Sequence, residues 1–236
     1  EASLPFIGFD RWVGYEISWL NEKGKPEVAV AEFNFPCQSP YLIESKSFKL
    51  YLNSFNNTIF SSNEIVLQTM IKDLTLSCQA EVTVNFISEQ EASETGISIF
   101  SGTSLDGLDV ACDTYQVEPK FLMIDKEKHV SETIYSNLLK SNCLVTGQPD
   151  WGSLWLSYTG SKLNHEGLLK YIISFRNHNE FHEQCVERVF NDLLTYAKPE
   201  KLSVYACYTR RGGLDINPFR STHLSQPPKL GRLFRQ

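Results

Sequence analysis

Two residues of this chain have the types and spacing for covalent chemistry. Cys143 ends an apolar run, and Asp150 follows seven residues later in the segment Cys143-Leu144-Val145-Thr146-Gly147-Gln148-Pro149-Asp150-Trp151. A thiol attacks as its thiolate, and a carboxyl held nearby can manage the proton that such an attack requires. The Gly-Gln-Pro between them is a turn signal that brings the ends of the segment together. Free cysteines more often pack as small hydrophobes, so this pair draws its meaning from the motifs around it.

Three further constellations could act with it. His178 and His182 stand four apart, which puts both on one helical face at a metal-ligand spacing, but Asn179 breaks the HExxH order and no third ligand is evident. A helix start with solvated polar groups is the alternative. Glu183, beside His182, is a carboxylate near a helix N-terminus and can accept two parallel N–H donors, such as those on the Watson-Crick side of a guanine-like ring. Glu44-Ser45-Lys46-Ser47-Phe48-Lys49 reads either as a charged helix start or as a ring-binding carboxylate followed by phosphate contacts. Thr209-Arg210-Arg211-Gly212-Gly213-Leu214 can present guanidinium forks and close backbone N–H groups to phosphate, or simply end a strand. No GxGxxG or GxxxxGK[ST] occurs, so a nucleotide would be held without a Rossmann or P-loop cradle.

With 236 residues, 42% hydrophobic and 21% charged, the chain is an ordinary globular sequence with enough apolar material for one large or two small cores. A net charge of -6 argues against a general binder of nucleic acid or of an anionic membrane. No apolar run approaches the roughly 18 residues of a membrane span, and no signal peptide opens the chain, so a cytoplasmic protein is expected. Six cysteines lie scattered without CxxC spacing, which implies neither a disulfide framework nor a structural zinc site. Because the chain opens on Glu1 rather than methionine, a preceding segment is expected.

The elements that must position these groups follow from periodicity. Residues 11–20 and 27–36 alternate as a β-hairpin, and 42–51 runs into a helix ending near Asn57. Ser61 and Glu64 have capping-box spacing before a second helix with Val66, Met70 and Leu74 on one stripe. Residues 80–87 and 107–117 are expected strands. The second half repeats the order, with strands at 138–146 and 153–158, helices at 166–177 and 181–196, and a strand at 201–209. Ser54-Phe55 matches Ser174-Phe175, Phe60 matches Phe181, and Asp73-Leu74 matches Asp192-Leu193, which suggests an internal duplication. The expectation is an α+β protein of two tandem ββααββ modules, 1–120 and 121–236, each an antiparallel sheet with helices on one face. Sheet edges left bare by such units favour self-association.

Together these motifs resemble the NADPH-dependent 7-cyano-7-deazaguanine reductases, nitrile reductases of queuosine biosynthesis. Residues 44–51 (ESKSFKLY) are similar to that family's signature, 143–153 (CLVTGQPDWGS) to its cysteine segment, and FHEQC and RRGGLDINP to its later blocks. Their order resembles the two-module subgroup. Leu144 departs from the proline that many relatives carry there. The resemblance implies the tunnelling fold, a homodimer, a deazapurine substrate and no direct contact with nucleic acid. It implies that Cys143 attacks the nitrile to form a thioimide, with Asp150 relaying the proton and His182 assisting. Ile43, Glu44, Ser45, His182 and Glu183 would hold the deazaguanine. Ser45, Lys46, Arg211 and Gly212 would contact NADPH, with Arg210 as a further candidate. Two rival readings are a zinc enzyme of the same fold, using His178, His182 and another ligand, and a non-catalytic purine- or RNA-binding module.

Overall fold

In a computed structural model of the protein, residues 4–236 are described. The chain forms two compact units. The first gathers Phe9–Gly96 with Arg210–Ile216, and the second gathers Ile97–Thr209 and Asn217–Gln236 with the residues up to Gly8. A cut at residue 120 is therefore a different division from the one that contacts make. The difference arises because Arg210–Ile216 packs with the N-terminal hairpin: the Tyr15 N–H donates to the Gly213 carbonyl at 2.9 Å.

In the first unit, β1 (Ile7–Leu20) and β2 (Pro26–Pro36) form the expected antiparallel hairpin. Helices α1 (Ser45–Ser54) and α2 (Asn63–Cys78) follow, then β3 (Thr83–Ile87) on the outer side of β2 and the short α3 (Glu89–Thr95). Aromatic residues dominate the core between sheet and helices. The rings of Trp12, Phe33 and Phe35 on the strands surround Phe48 of α1, with Val66, Met70 and Leu74 of α2 beside them. The cap of α2 is Ser62, whose hydroxyl accepts from the Ile65 N–H at 3.3 Å, and not Ser61. Glu64 closes no box because it is the second residue of the helix and Ile65 stands at the third; its carboxylate accepts from Gln68 one turn on, at 2.7 Å.

The second unit contains the two-residue strands β4 (Ile97–Ser98) and β5 (Thr103–Ser104), then β6 (Ile124–Asn142), β7 (Pro149–Leu163), α4 (His165–Ser174), α5 (His182–Tyr196), β8 (Lys201–Tyr208), the part of β9 (Leu214–Ser221) from Asn217 onward, and β10 (Arg232–Leu233). Its main sheet runs β9-β8-β7-β6-β5. The strand expected at 107–117 is absent among the described residues. Asp109 and Asp113 interrupt its apolar positions, and the segment runs irregularly. The first half thus has one regular strand after its helices, whereas the second half is a complete ββααββ. Strand β9 hid in a motif rich in arginine, glycine and proline.

The duplication is visible in detail. The Tyr51 hydroxyl donates to Asp73 Oδ2 at 2.9 Å, and Tyr171 donates to Asp192 Oδ2 at 2.7 Å, each joining the two helices of its own unit. Leu20 bonds to Thr58 and Phe60 as Asn142 bonds to His178 and Glu180. Phe60 therefore corresponds to Glu180, and the apparent match to Phe181 is one residue out. Tyr171 is fully buried, so Tyr171→Phe strips Asp192 of a donor that water replaces poorly and should cost about 1–3 kcal/mol in urea unfolding. The half-buried Tyr51→Phe should cost less than about 1 kcal/mol.

Candidate active site

Strands β6 and β7 pair Ser141 with Asp150 and Asn142 with Pro149, so 143–148 is the turn of their hairpin. The Cys143 N–H donates to the Gln148 carbonyl at 2.8 Å, and the Gly147 N–H donates to the Cys143 carbonyl at 2.9 Å. Gly147 has φ +68°, which a residue without Cβ adopts freely. The first unit builds a related turn, one residue shorter, on Asn21: its N–H donates to the Lys25 carbonyl at 2.9 Å, and the Gly24 N–H donates back to the Asn21 carbonyl at 2.8 Å. There Asn21 Oδ1 collects the amides of Lys23 and Lys25, at 3.0 and 3.1 Å.

In the second unit the collecting atom is sulfur. Partial burial pushes the Cys143 thiol up, but the Thr146 hydroxyl and the Thr146 and Val145 amides point at it and outweigh burial, so its pKa lies below that of an ordinary cysteine. The charge of Asp150 opposes this, as the smallest of these influences. Thr146 is a member of this turn that the sequence does not single out; its signal was a hydroxyl three residues after the cysteine inside a tight turn. Thr146→Val removes one donor and raises the thiol pKa. Thiolate is present above that pKa and is lost as pH falls through it. Alkylation of Cys143 by iodoacetamide at pH 7, followed by peptide mapping, should therefore slow about three- to tenfold, with its pH limb displaced upward.

Asp150, the second residue of β7, is 2% exposed. His182, the first residue of α5, places Nε2 at 3.5 Å from Asp150 Oδ1. Glu183 is buried in the same first helical turn, where the positive end of the helix favours a carboxylate. Cys143, Asp150, His182 and Glu183 thus all belong to the second unit. His178 and His182 do not face a common point. His178 lies before α5 and bonds Glu180 Oε2 at 2.7 Å, and Arg188 grips both oxygens of Glu180 at 2.9 and 2.8 Å. His178, Glu180 and Cys185 offer ligand atoms within 4.8 Å of one another, a different trio from one built on both histidines.

The remaining expected residues lie in the first unit. Glu44 is the N-cap of α1, accepting from the Lys46 and Ser47 amides at 2.9 and 2.8 Å. Burial pushes its carboxyl up, these bonds outweigh it, and its pKa lies below the usual range. Ile43 packs against the aromatic core, and Ser45 and Lys46 open the helix. Arg210 stacks at 4.1 Å over the ring of Tyr15. Arg211 and Leu214 close a tight turn through Gly212 and Gly213, at φ +59° and +77°. A cavity of about 150 Å³ lies beside it, lined by Glu16, Lys49, Asn53, Asn56, Gly212 and Gly213. A Cβ on Gly212 would stand 3.6 Å from Lys49 Nζ, so the glycine keeps open the space beside that ammonium. Lysine, asparagine amides and exposed backbone suit the phosphate and ribose of a dinucleotide.

Residues 1–86 match the family described as nitrile reductase, 7-cyano-7-deazaguanine-reductase N-term, and residues 149–227 match the QueF-like protein family. Proteins named NADPH-dependent 7-cyano-7-deazaguanine reductase are similar to this chain. That of Legionella pneumophila (strain Lens) is 59% identical over 93% of this chain and 77% of its own. That of Hydrogenovibrio crunogenus is 56% identical over 99% and 84%, and that of Acidovorax ebreus 53% over 100% and 86%. A solved structure, the archaeosine synthase QueF-Like in the apo form, covers 41% of this chain at 16% identity with a TM-score of 0.36, too slight a likeness to carry an argument. These relatives favour neither the zinc enzyme nor the non-catalytic module. By sequence over nearly its whole length, the chain belongs to the 7-cyano-7-deazaguanine reductase family.

Proposed function

We propose that the chain reduces the nitrile of 7-cyano-7-deazaguanine to the primary amine through a covalent intermediate on Cys143, using NADPH. The observation that carries this reading is the turn that gathers donors on the Cys143 sulfur beside the buried Asp150, itself within reach of His182. Addition of the thiol across the nitrile forms a C–S bond and leaves a C=N–H group, so the thiol proton ends on nitrogen. Asp150 is proposed to carry it, because this buried carboxylate lies near the thiol and faces His182 Nε2 at 3.5 Å, with which it can exchange the proton. The resulting thioimide is a better hydride acceptor than the nitrile.

The four-electron reduction consumes two NADPH, bound one after the other, each of which would supply one hydride to one of two successive C=N groups. The protein's own work between these steps is to release Cys143 as thiolate, return protons through Asp150 and His182, and exclude water from the imine. Glu183 is proposed to accept the parallel N–H donors of the deazaguanine. Ile43, Glu44 and Ser45 are proposed as substrate contacts, with Glu44 first having to share or release its capping bonds. Ser45, Lys46, Arg211 and Gly212 are proposed to hold the cofactor, and Lys49 beside Gly212 adds a cation.

No helix of the described residues is long and apolar enough to cross a membrane. A cytoplasmic homodimer acting without direct contact to nucleic acid is proposed, and analytical ultracentrifugation checks the dimer. The test of the reaction is intact-protein mass with 7-cyano-7-deazaguanine and no NADPH. A gain of one ligand mass, mapped to Cys143 and lost when NADPH is added, supports the reading. Bound ligand without any adduct would overturn the covalent route.

A further inference from the structure

Gly152 lies inside β7, where a residue without a side chain weakens a strand and needs a reason. Its φ is not in the positive range that favours glycine, so what it supplies is room. Across the β7–β8 ladder it faces Tyr208, and a Cβ at Gly152 would stand 3.1 and 3.3 Å from Tyr208 Cδ1 and Cε1. One edge of the phenol ring, Cδ1 and Cε1, therefore fills the room that a side chain at Gly152 would take, and any larger residue there would displace it. The ring also meets the His182 imidazole at 4.3 Å between centroids and 86° between planes, the edge-to-face packing that aromatic quadrupoles favour. That imidazole holds Nε2 toward Asp150 Oδ1 at 3.5 Å.

Tyr208 has a further oddity. It is 1% exposed, yet its hydroxyl has no oxygen or nitrogen partner and faces the Cys185 thiol instead. Burial pushes the phenol far above its ordinary value, and Cys185, Asp150 and Glu183 add to this. The hydroxyl is thus neutral and donates to no catalytic group. The part of Tyr208 that serves the site is its ring.

We propose that Gly152 and Tyr208 are positioning residues whose backbone-to-ring-to-imidazole stack fixes the plane of His182 for proton exchange with Asp150. The inference rests on the nitrile-reductase reading and adds to it two residues that neither the thiol nor the carboxylate chemistry identifies. Neither residue touches substrate in this scheme; both act through His182.

The test is a double-mutant cycle on the full chain, with kcat and KM for 7-cyano-7-deazaguanine as readout. Tyr208→Leu should lower kcat about 10- to 100-fold, as misplacing a catalytic group does, with KM changed less than about threefold. Tyr208→Phe keeps the ring and should retain most of the rate. Gly152→Ala lifts the ring and should fall between them. In a His182→Ala background, Tyr208→Leu should have no further effect, whereas a merely structural role would cost rate there too. Additive losses, or equal losses from Tyr208→Phe and Tyr208→Leu, would overturn the proposal. The ring ¹⁵N shifts of His182 give a readout independent of turnover: they should move in Tyr208→Leu and Gly152→Ala and stay in Tyr208→Phe. Unmoved shifts in Tyr208→Leu count against the stack. Should the unsubstituted chain reduce no nitrile, the functional reading fails, while these shifts still decide whether the stack sets the imidazole.

Discussion

Cys143→Ala should give a folded protein that binds 7-cyano-7-deazaguanine, forms no adduct and loses at least about 10⁴-fold in turnover. Loss of that size is what removing an attacking group costs when the rest of the site survives. The fold is insulated from the change because the turn stands on backbone bonds, Cys143 N–H to Gln148 and Gly147 N–H to Cys143, which alanine keeps. The Val145 and Thr146 amides lose their sulfur acceptor in a partly exposed turn, where water takes its place. Urea unfolding should therefore move by no more than about 1 kcal/mol, as for surface substitutions away from a core. An inactive variant that had also lost stability by several kcal/mol would place Cys143 among the structural residues instead.

Asp150→Asn separates two effects that usually travel together. The carboxamide cannot take the thiol proton, so adduct formation and turnover should fall about 10²- to 10⁴-fold, the span of general acid–base catalysis. The negative charge that holds the Cys143 pKa up also disappears, so that pKa falls further and more thiolate exists at neutral pH. Alkylation of Cys143 by iodoacetamide at pH 7 should thus be as fast as or faster than in the unsubstituted chain, while the nitrile reaction slows. Parallel loss of both reactivities would mean that Asp150 shapes the turn, and the proton-relay role would fall.

Periodicity was a good guide where elements bury one clean face. The hairpin of β1 and β2, the stripe of Val66, Met70 and Leu74, and the helices at 165–174 and 182–196 all follow it. It misled where side chains serve something other than burial. Strand β9 contains Asp215, Asn217, Pro218 and Arg220, a composition that reads as loop, yet every one of its residues is buried. Such a strand is specified by its neighbours, which one sequence does not reveal. The reverse failure, at 107–117, came from apolar residues that alternate with too little regularity to hold a ladder. Of the proposed site, the hairpin that brings Cys143 and Asp150 to its two ends was legible because a turn signal lies between them, and the place of Glu183 because it opens a helix. Thr146, Gly152 and Tyr208 were not, since their roles depend on which backbone groups converge in a turn and on the register of β7 against β8.

The turn that carries Cys143 has a counterpart in the same chain, one residue shorter, with Asn21 at the place of the proposed nucleophile. Gathering backbone amides on the first side chain of the turn thus needs no thiol, and reactivity is a separable addition to that arrangement. What the second unit adds to this shared device is an atom that can bond to carbon, so the proposed chemistry rests on a change of one side chain within a motif that the chain also uses for a plain turn.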